Sequence, residues 1–475
     1  MANKRKIVLF AAGGIVALLV LAAVVLVLFM DVNAHKPRLE AAASDALGME
    51  VRIGGNLGIG FFPGFHVTLG DVRIRNRGLD VASAKEAILG IELLPLLHKE
   101  VRIVKIGMKR PRISIEQDRE GKFNFEERKE TKGTRFFLNA KKFFLSEGAL
   151  FYADQISGEV LEAGNFDLDV SRLRFTGGET PGHLLKNLSF TAEFSCKEFR
   201  KGSLAVSNLK VHIEGKGGVL DLNPMTMRLF GGQGSGSLLA DLSGPVPHYN
   251  VRYSLLKFRI EEFLKTLSPK RAAEGSMDFS SRLSTQGKTA NEMKRNANGE
   301  FSLRGGNLTL DGVDLDRTFS RYEASQNFNL VDVGAFFIAG PFGPLITKGY
   351  NFGSLFMGSG GSSRIRMLVS DWKVERGIAQ AKDVAMATNE SRIALVGGLD
   401  FANERFNDVT VAVVDGKGCA KMRQEIRGPF RKPEVEKVSV LQTAAGPLLS
   451  LIKQAGKLLG GPCEVFYAGS VVPPE

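Results

Sequence analysis

Few side chains in this sequence are suited to chemistry. Across 475 residues there are three Cys, six His and a single Trp, Trp372. The histidines, His35, His66, His98, His183, His212 and His248, stand far apart, and neither a His-Glu-x-x-His nor a Cys-x-x-Cys spacing occurs, so a metal hydrolase has no local support. The glycine-rich stretches at Gly231 to Gly236 and Gly358 to Gly361 lack the Gly-Lys-Ser/Thr ending of a phosphate loop, and a Gly-x-Ser-x-Gly elbow is missing. They suit hairpins and bulges instead. The expectation is a protein that is not an enzyme, with no cofactor and no metal. Polar aromatics are also scarce, six Tyr and one Trp against 33 Phe, so the apolar surface carries few hydroxyl or indole handles. A large, dry lining fits that imbalance. Only one long uncharged run is present, which excludes a polytopic membrane protein.

What the chain does contain is ordinary in bulk: 44% hydrophobic and 24% charged residues, the balance of a folded protein rather than a disordered one. Lys and Arg number 63 against 51 Asp and Glu, a net charge of +12 that suits an anionic partner. The charges are dispersed, and no helix-turn-helix, zinc-finger or RNA-recognition spacing accompanies them, so no nucleic-acid partner is expected, and the excess fits either a basic solvated surface or an acidic lipid surface. The uncharged run is Ile7 to Met30, preceded by Lys4, Arg5 and Lys6. It is long enough to cross a hydrocarbon core about 30 Å thick and longer than the apolar region of a cleaved signal peptide. The flanking charges place the N-terminus in the cytoplasm and residues from 31 onward outside.

Beyond the span, period-2 alternation dominates. Val72 and Ile74, then Ala87, Leu89, Ile91 and Leu93, then Ile113 and Ile115 alternate with charged or polar neighbours. The pattern returns at Phe166, Leu168 and Val170, at Leu209, Val211 and Ile213, at Ile365, Met367 and Val369, and at Val409, Val411 and Val413. The 54 glycines support many turns and short strands. The predicted fold class is mainly β: an elongated, curved antiparallel sheet after an N-terminal transmembrane helix. Short helices are predicted at Pro37 to Leu47, Glu261 to Leu267 and Asn291 to Arg295, with an amphipathic one at Leu448 to Leu459. The domains predicted are residues 1–30 (tail and anchor), 31–133 (N-terminal β block), 134–274 (middle sheet) and 275–475 (C-terminal β region), with the charged stretch Glu126 to Gly133 as a linker. Alternation serves a self-packed sandwich as well as an open trough.

Certain stretches resemble a known family. Met49 to Leu57, Phe62-Pro63, Val67 to Asn76, Leu94-Pro95-Leu96-Leu97, Val101 to Ile103, Pro111 to Ile113 and the Asp118 to Phe125 turn are similar to the opening of the AsmA-like proteins, membrane-anchored envelope proteins of Gram-negative bacteria. Phe125 departs from that pattern, standing where the family has Trp and losing its indole donor. Asn298 to Phe301 with Gly305 to Leu308, Trp372 to Gly377, Arg427 to Pro433 and Cys463 to Val471 are similar to the family's C-terminal half, whereas residues 134 to 270 match in texture only.

The resemblance implies a relative of the bridge-type lipid-transfer proteins, a trough with polar outside and apolar inside, standing on an inner-membrane helix in the periplasm and tied to outer-membrane lipid homeostasis. The implied partners are phospholipid, the inner membrane and outer-membrane or envelope proteins. The groove candidates are Ile103, Ile113, Ile115, Phe166, Leu168, Val170, Leu209, Val211, Ile365 and Met367. The rival reading is a structural or assembly factor for outer-membrane proteins with its sheet packed shut. Of the three cysteines, Cys419 and Cys463 are the candidate disulfide pair, because both lie beside the C-terminal motifs and each follows Gly or Pro at a turn, while Cys196 suits apolar packing.

Overall fold

A computed structural model describes residues 32–62, 64–98, 102–126, 140–175, 185–266, 273–317, 319–320, 361–436, 439–440 and 463–474. The uncharged span, the amphipathic stretch at Leu448 to Leu459 and most of the charged linker fall outside them. Among the described residues no helix is long and apolar enough to cross a membrane. The chain is mainly β and divides into two compact units after Ser171.

The first unit opens with a single helical turn, Val32–His35, and helix α1 (Lys36–Leu47), which has Pro37 in its first turn and ends on Gly48 at φ 65°. The helix is fastened to strand β1 (Glu50–Ile53): Ser44 Oγ accepts from Val51 N at 2.9 Å and Glu40 Oε1 accepts from Ile53 N at 2.6 Å. Strands β2 (Leu57–Gly60), β3 (His66–Asn76), β4 (Leu79–Ile91) and β5 (Ile103–Gln117) follow as antiparallel neighbours, β1 and β2 both pairing with β3. Strand β6 (Lys142–Asp154) then pairs parallel to β5 before β7 (Val160–Phe175) resumes the antiparallel order. The alternation predicted antiparallel pairing throughout. The parallel pair arises because the connection from Asp118 to Lys141 is far longer than a hairpin loop and returns the chain to the start of β5, where Lys141 N donates to Val104 O at 2.9 Å. Leu93 does not continue β4 either. The strand stops at Ile91, and Leu93–Leu97 form a short helix, α2, whose Pro95 could not donate to a sheet ladder. Phe125 keeps an aromatic contact, stacked on Phe123 at 5.1 Å.

Four residues at matching heights of this sheet have positive φ, Asp71 at 47°, Arg110 at 50°, Glu147 at 53° and Asn165 at 56°. Asp71 and Arg110 sit at gaps in otherwise regular pairing, while Glu147 and Asn165 lie at shifts in the β6–β7 register. Such bulges bend the strand that carries them and increase its twist.

The second unit runs through β8 (Leu188–Lys201), β9 (Leu204–Lys216), β10 (Val219–Leu229), β11 (Gly232–Asp241) and β12 (His248–Arg259), each antiparallel to the next. Helix α3 (Ile260–Leu264) and the short β13 (Ala273–Glu274) lead to β14 (Ser276–Gln286), which pairs with β12. Helix α4 (Ala290–Arg295) is capped at its start: Glu292 N donates to Thr289 Oγ1 at 3.2 Å, and Glu292 Oε2 reaches back to accept from Lys288 N, one residue before the cap, at 2.7 Å. Strands β15 (Asn298–Asp311), β16 (Ser362–Glu375), β17 (Ile378–Ala387), β18 (Arg392–Asp400), β19 (Arg405–Val414) and β20 (Ala420–Pro429) complete the succession, with the two-residue β21 (Glu434–Val435) and β22 (Ser439–Val440) at its edge.

Burial changes along this unit. One buried cluster joins Leu255, Met277, Leu308, Ile365, Met386, Leu395 and Ile426 with many others, and a second, on the far side of β16 to β19, joins Val369, Ala385, Ala394 and Ala412 to Tyr467 and Val471. Both draw their members from Leu255 onward. Strands covered on both faces need apolar residues at successive positions, and β18 supplies them in Ile393, Ala394 and Leu395, all at 1% exposure or less. Trp372 stacks on Phe301 at 6.0 Å and donates from Nε1 to Ser370 Oγ at 2.7 Å, satisfying the indole in a buried place.

The closing segment caps the second cluster. Cys419 and Cys463 are joined in a disulfide, with Cα atoms 6.0 Å apart. Phe466 N and Tyr467 N both donate to Gly418 O, and the Tyr467 hydroxyl donates to Asp383 Oδ1 at 2.5 Å while accepting from Val471 N at 3.0 Å. Burial alone would raise the Asp383 carboxyl, but hydrogen bonds from Ser470 and Tyr467 hold it below the usual carboxylate range.

Candidate functional site

The register of the strands assembles apolar side chains into rows that cross each unit. In the first, Ile59, Val67, Leu89, Ile106, Phe143 and Val170 lie opposite one another in turn, and Leu57, Leu69, Ala87, Met108, Leu145 and Leu168 form the next row. In the second unit, Phe194, Val211, Met225, Gly236 and Tyr253 make one row, and Ala192, Ile213, Leu222, Leu238 and Val251 the adjacent one. The intervening positions are mostly polar: Ser195, Lys210, Thr226, Ser235 and Ser254 run across the same strands on the other face. Period-2 alternation in every strand, combined with in-register pairing, gives a sheet with one greasy face.

That face is only half covered over β8 to β11. Phe194, Ile213, Leu222, Met225 and Leu238 are each of intermediate exposure, and these strands contribute no member to either buried cluster. Two side chains reveal how the large aromatics fit. The Phe166 ring lies over Gly148 on the neighbouring strand, and the Phe190 ring lies over Gly215, so close that a Cβ at either glycine would collide with the ring. Phenylalanine and glycine thus occur as cross-strand pairs, which accounts for part of the abundance of both.

Tyr253 stands where the half-covered rows meet the first buried cluster. Its hydroxyl is buried and, among the described residues, has no hydrogen-bond partner, and burial pushes its pKa up to about 12. On the opposite, polar face His212 sits between Glu193 (2.5 Å) and Glu214 (3.5 Å), whose hydrogen bonds raise the imidazole above its ordinary value. Among the described residues no group of three His, Cys, Asp or Glu is placed to hold a metal ion.

Eight of the ten groove candidates lie on the less covered strands: Ile103, Ile113 and Ile115 on β5, Phe166, Leu168 and Val170 on β7, and Leu209 and Val211 on β9. Phe166 and Val211 are each at 6% exposure, and the other six are half-buried. Ile365 and Met367, on β16, are placed differently. Ile365 is at 0% exposure inside the first cluster, whereas Met367 packs against the second, so their alternate spacing does not put them on one surface. Asn307, at φ 53°, stands between their partners Leu308 and Gly306 and interrupts the regular strand there.

A hollow of about 1300 Å³ over β11, β12 and β14 to β17 has no counterpart in the sequence pattern; Ser254, Ser280, Ser302, Arg252, Arg282 and Asp371 line it together with Tyr253, Leu283, Phe301 and Trp372. Arg304 and Ser302 both donate to Asp371, at 2.6 and 2.5 Å. The serines occupy consecutive places in one cross-strand row, a signal visible only once the register is known.

The fold and this face together define a class: a mainly β protein built from long, successively paired strands, with an apolar surface left partly open. The AsmA family profile matches residues 1–179 and 138–340, and the chain belongs to the AsmA family. The match includes the middle strands, where sequence inspection found only a similar texture. No curated protein matches the chain in sequence.

Proposed function

We propose that this protein holds or conducts phospholipid-like molecules along its apolar β face, standing on an inner-membrane helix with residues 31 to 475 in the periplasm and serving outer-membrane lipid homeostasis. The observation that carries the reading is the half-covered face of β8 to β11, whose aligned rows continue into a buried cluster while Phe194, Ile213, Leu222, Met225 and Leu238 stay half-exposed. Apolar surface of that extent is unfavourable in water by about 25 cal/mol for each Å² left exposed, and acyl chains would relieve it. Family membership and the uncharged span at Ile7 to Met30 support the same reading. The role is one of binding rather than catalysis.

A photo-crosslinking amino acid placed at Val170 and at Val211 in cells is expected to capture lipid. Adducts to protein alone at both sites would overturn the proposal in favour of a closed scaffold that assembles outer-membrane proteins. The packed core from Leu255 to Phe430 favours such a scaffolding part for the C-terminal strands. Topology has its own check: alkaline phosphatase fused after Glu475 is expected to be active, and an inactive fusion with an active cytoplasmic reporter would reverse the orientation.

A further inference from the structure

Four large apolar side chains of the first unit face solvent on two neighbouring loops. Phe61 and Phe62, between β2 and β3, are 43% and 90% exposed, and Leu93 and Leu94, at the start of α2, are 52% and 76% exposed. The β3–β4 pairing brings the loops to one end of the sheet: His66 lies opposite Gly90, and Ile91 N donates to Phe65 O at 3.0 Å. Single exposed apolar residues are common, but two adjacent loops tipped with Phe-Phe and Leu-Leu form a patch that asks for a partner.

The chain itself indicates what covers it. The uncharged run Ile7 to Met30 ends just ahead of Asp31 and Val32, and the Val32–His35 turn is tied to the base of β2, where Leu57 N donates to Asn33 Oδ1 at 3.0 Å. From Leu57 to Phe61 the strand advances about 13 Å at roughly 3.3 Å per residue. A membrane-held N-terminus therefore keeps both tips close to the bilayer surface. Arg102, Lys105 and Lys141 stand at the same end, with Lys141 paired to Glu92 at 3.0 Å and Lys105 over the Phe144 ring at 4.9 Å. Aromatic and aliphatic tips flanked by cations are the composition of an interfacial anchor.

We propose that the loop tips carrying Phe61, Phe62, Leu93 and Leu94 insert into the lipid surface of the membrane that holds the N-terminal span. The first apolar row of the sheet, from Ile59 through Val67 and Leu89 to Ile106, begins directly behind these tips, so insertion sets the end of the apolar face against the acyl region of the bilayer.

The native chain has one Trp, which is 2% exposed, so an added Trp can be read against a constant parent background. Full-length protein carrying Phe62→Trp, Leu94→Trp or Leu79→Trp would be reconstituted into vesicles of phospholipid brominated along its acyl chains. Leu79 is the control, 54% exposed as the first residue of β4 beside the turn at the other end of the β3–β4 hairpin, about 35 Å away along the strand. The added emission at 62 and 94 is expected to fall by roughly half or more, with no change at 79. Equal quenching at all three positions, or none at 62 and 94, would overturn the inference. It goes beyond the lipid-holding reading: capture of lipid at Val170 without quenching at 62 would keep that reading and lose this one.

Discussion

Ile365→Asp is expected to unfold the second unit, whereas Val170→Arg leaves the first unit folded and empties it of lipid. Ile365 has 0% exposure and lies opposite Leu308, also at 0%, in the densest part of the first cluster. A lone carboxylate there would lack a partner, and its several kcal/mol penalty is a large share of the about 5–15 kcal/mol that holds a domain together. Val170 is half-buried beside Phe143, and an Arg at this position can lay its stem along the apolar row while its guanidinium reaches water. Far-ultraviolet circular dichroism and limited proteolysis would report the folding arm, and mass spectrometry of co-purified lipid the binding arm. Comparable unfolding by both substitutions would mean that the face around Val170 is packed as tightly as the C-terminal core, and the proposed function would fall with it.

Breaking the Cys419–Cys463 bond should release the C-terminal cap. The bridge closes a loop with a sequence separation of 44 residues. In the chain-entropy model a loop of that length contributes on the order of 4 kcal/mol, or roughly a thousandfold in an opening equilibrium. The segment it retains makes specific contacts: Tyr467 to Asp383 and Gly418, and Arg392 Nη1 donating to Val471 O at 3.0 Å with its guanidinium over the Tyr467 ring. Amide exchange at Phe466, Tyr467 and Val471 is therefore expected to accelerate by up to that factor in Cys419→Ser or in reductant. Exchange rates unchanged within a few-fold would show that hydrogen bonds and the Tyr467 contacts hold the segment without the bridge.

The two effects separate what different parts of the sheet are for. From β15 onward the apolar face is shut, and β16 to β19 are covered on both sides, one of them by the disulfide-held segment. On β8 to β11 the same alternation leaves one face half open. A charge is costly in the first setting and tolerable in the second, which is why substitutions of one kind distinguish them.

The sequence by itself determined the strands. Alternation at Val72 and Ile74, at Phe166 to Val170, at Leu209 to Ile213 and at Val409 to Val413 falls within β3, β7, β9 and β19, because a half-buried strand must place apolar side chains at every second residue. It also marked α1, α3 and α4 to within a residue or a few. It could not say which strands neighbour one another, so the parallel β5–β6 pair, the rows from Ile59 to Val170 and from Phe194 to Tyr253, and the Phe–Gly pairs had to come from the structure. Nor could period 2 separate Ile365 from Val170: both are apolar alternates in polar company, and whether a second layer covers such a residue depends on strands and segments far away along the chain. Local pattern is a property of neighbouring residues, while coverage is a property of distant ones. Only the tertiary structure decided where the apolar face is sealed and where it stays open.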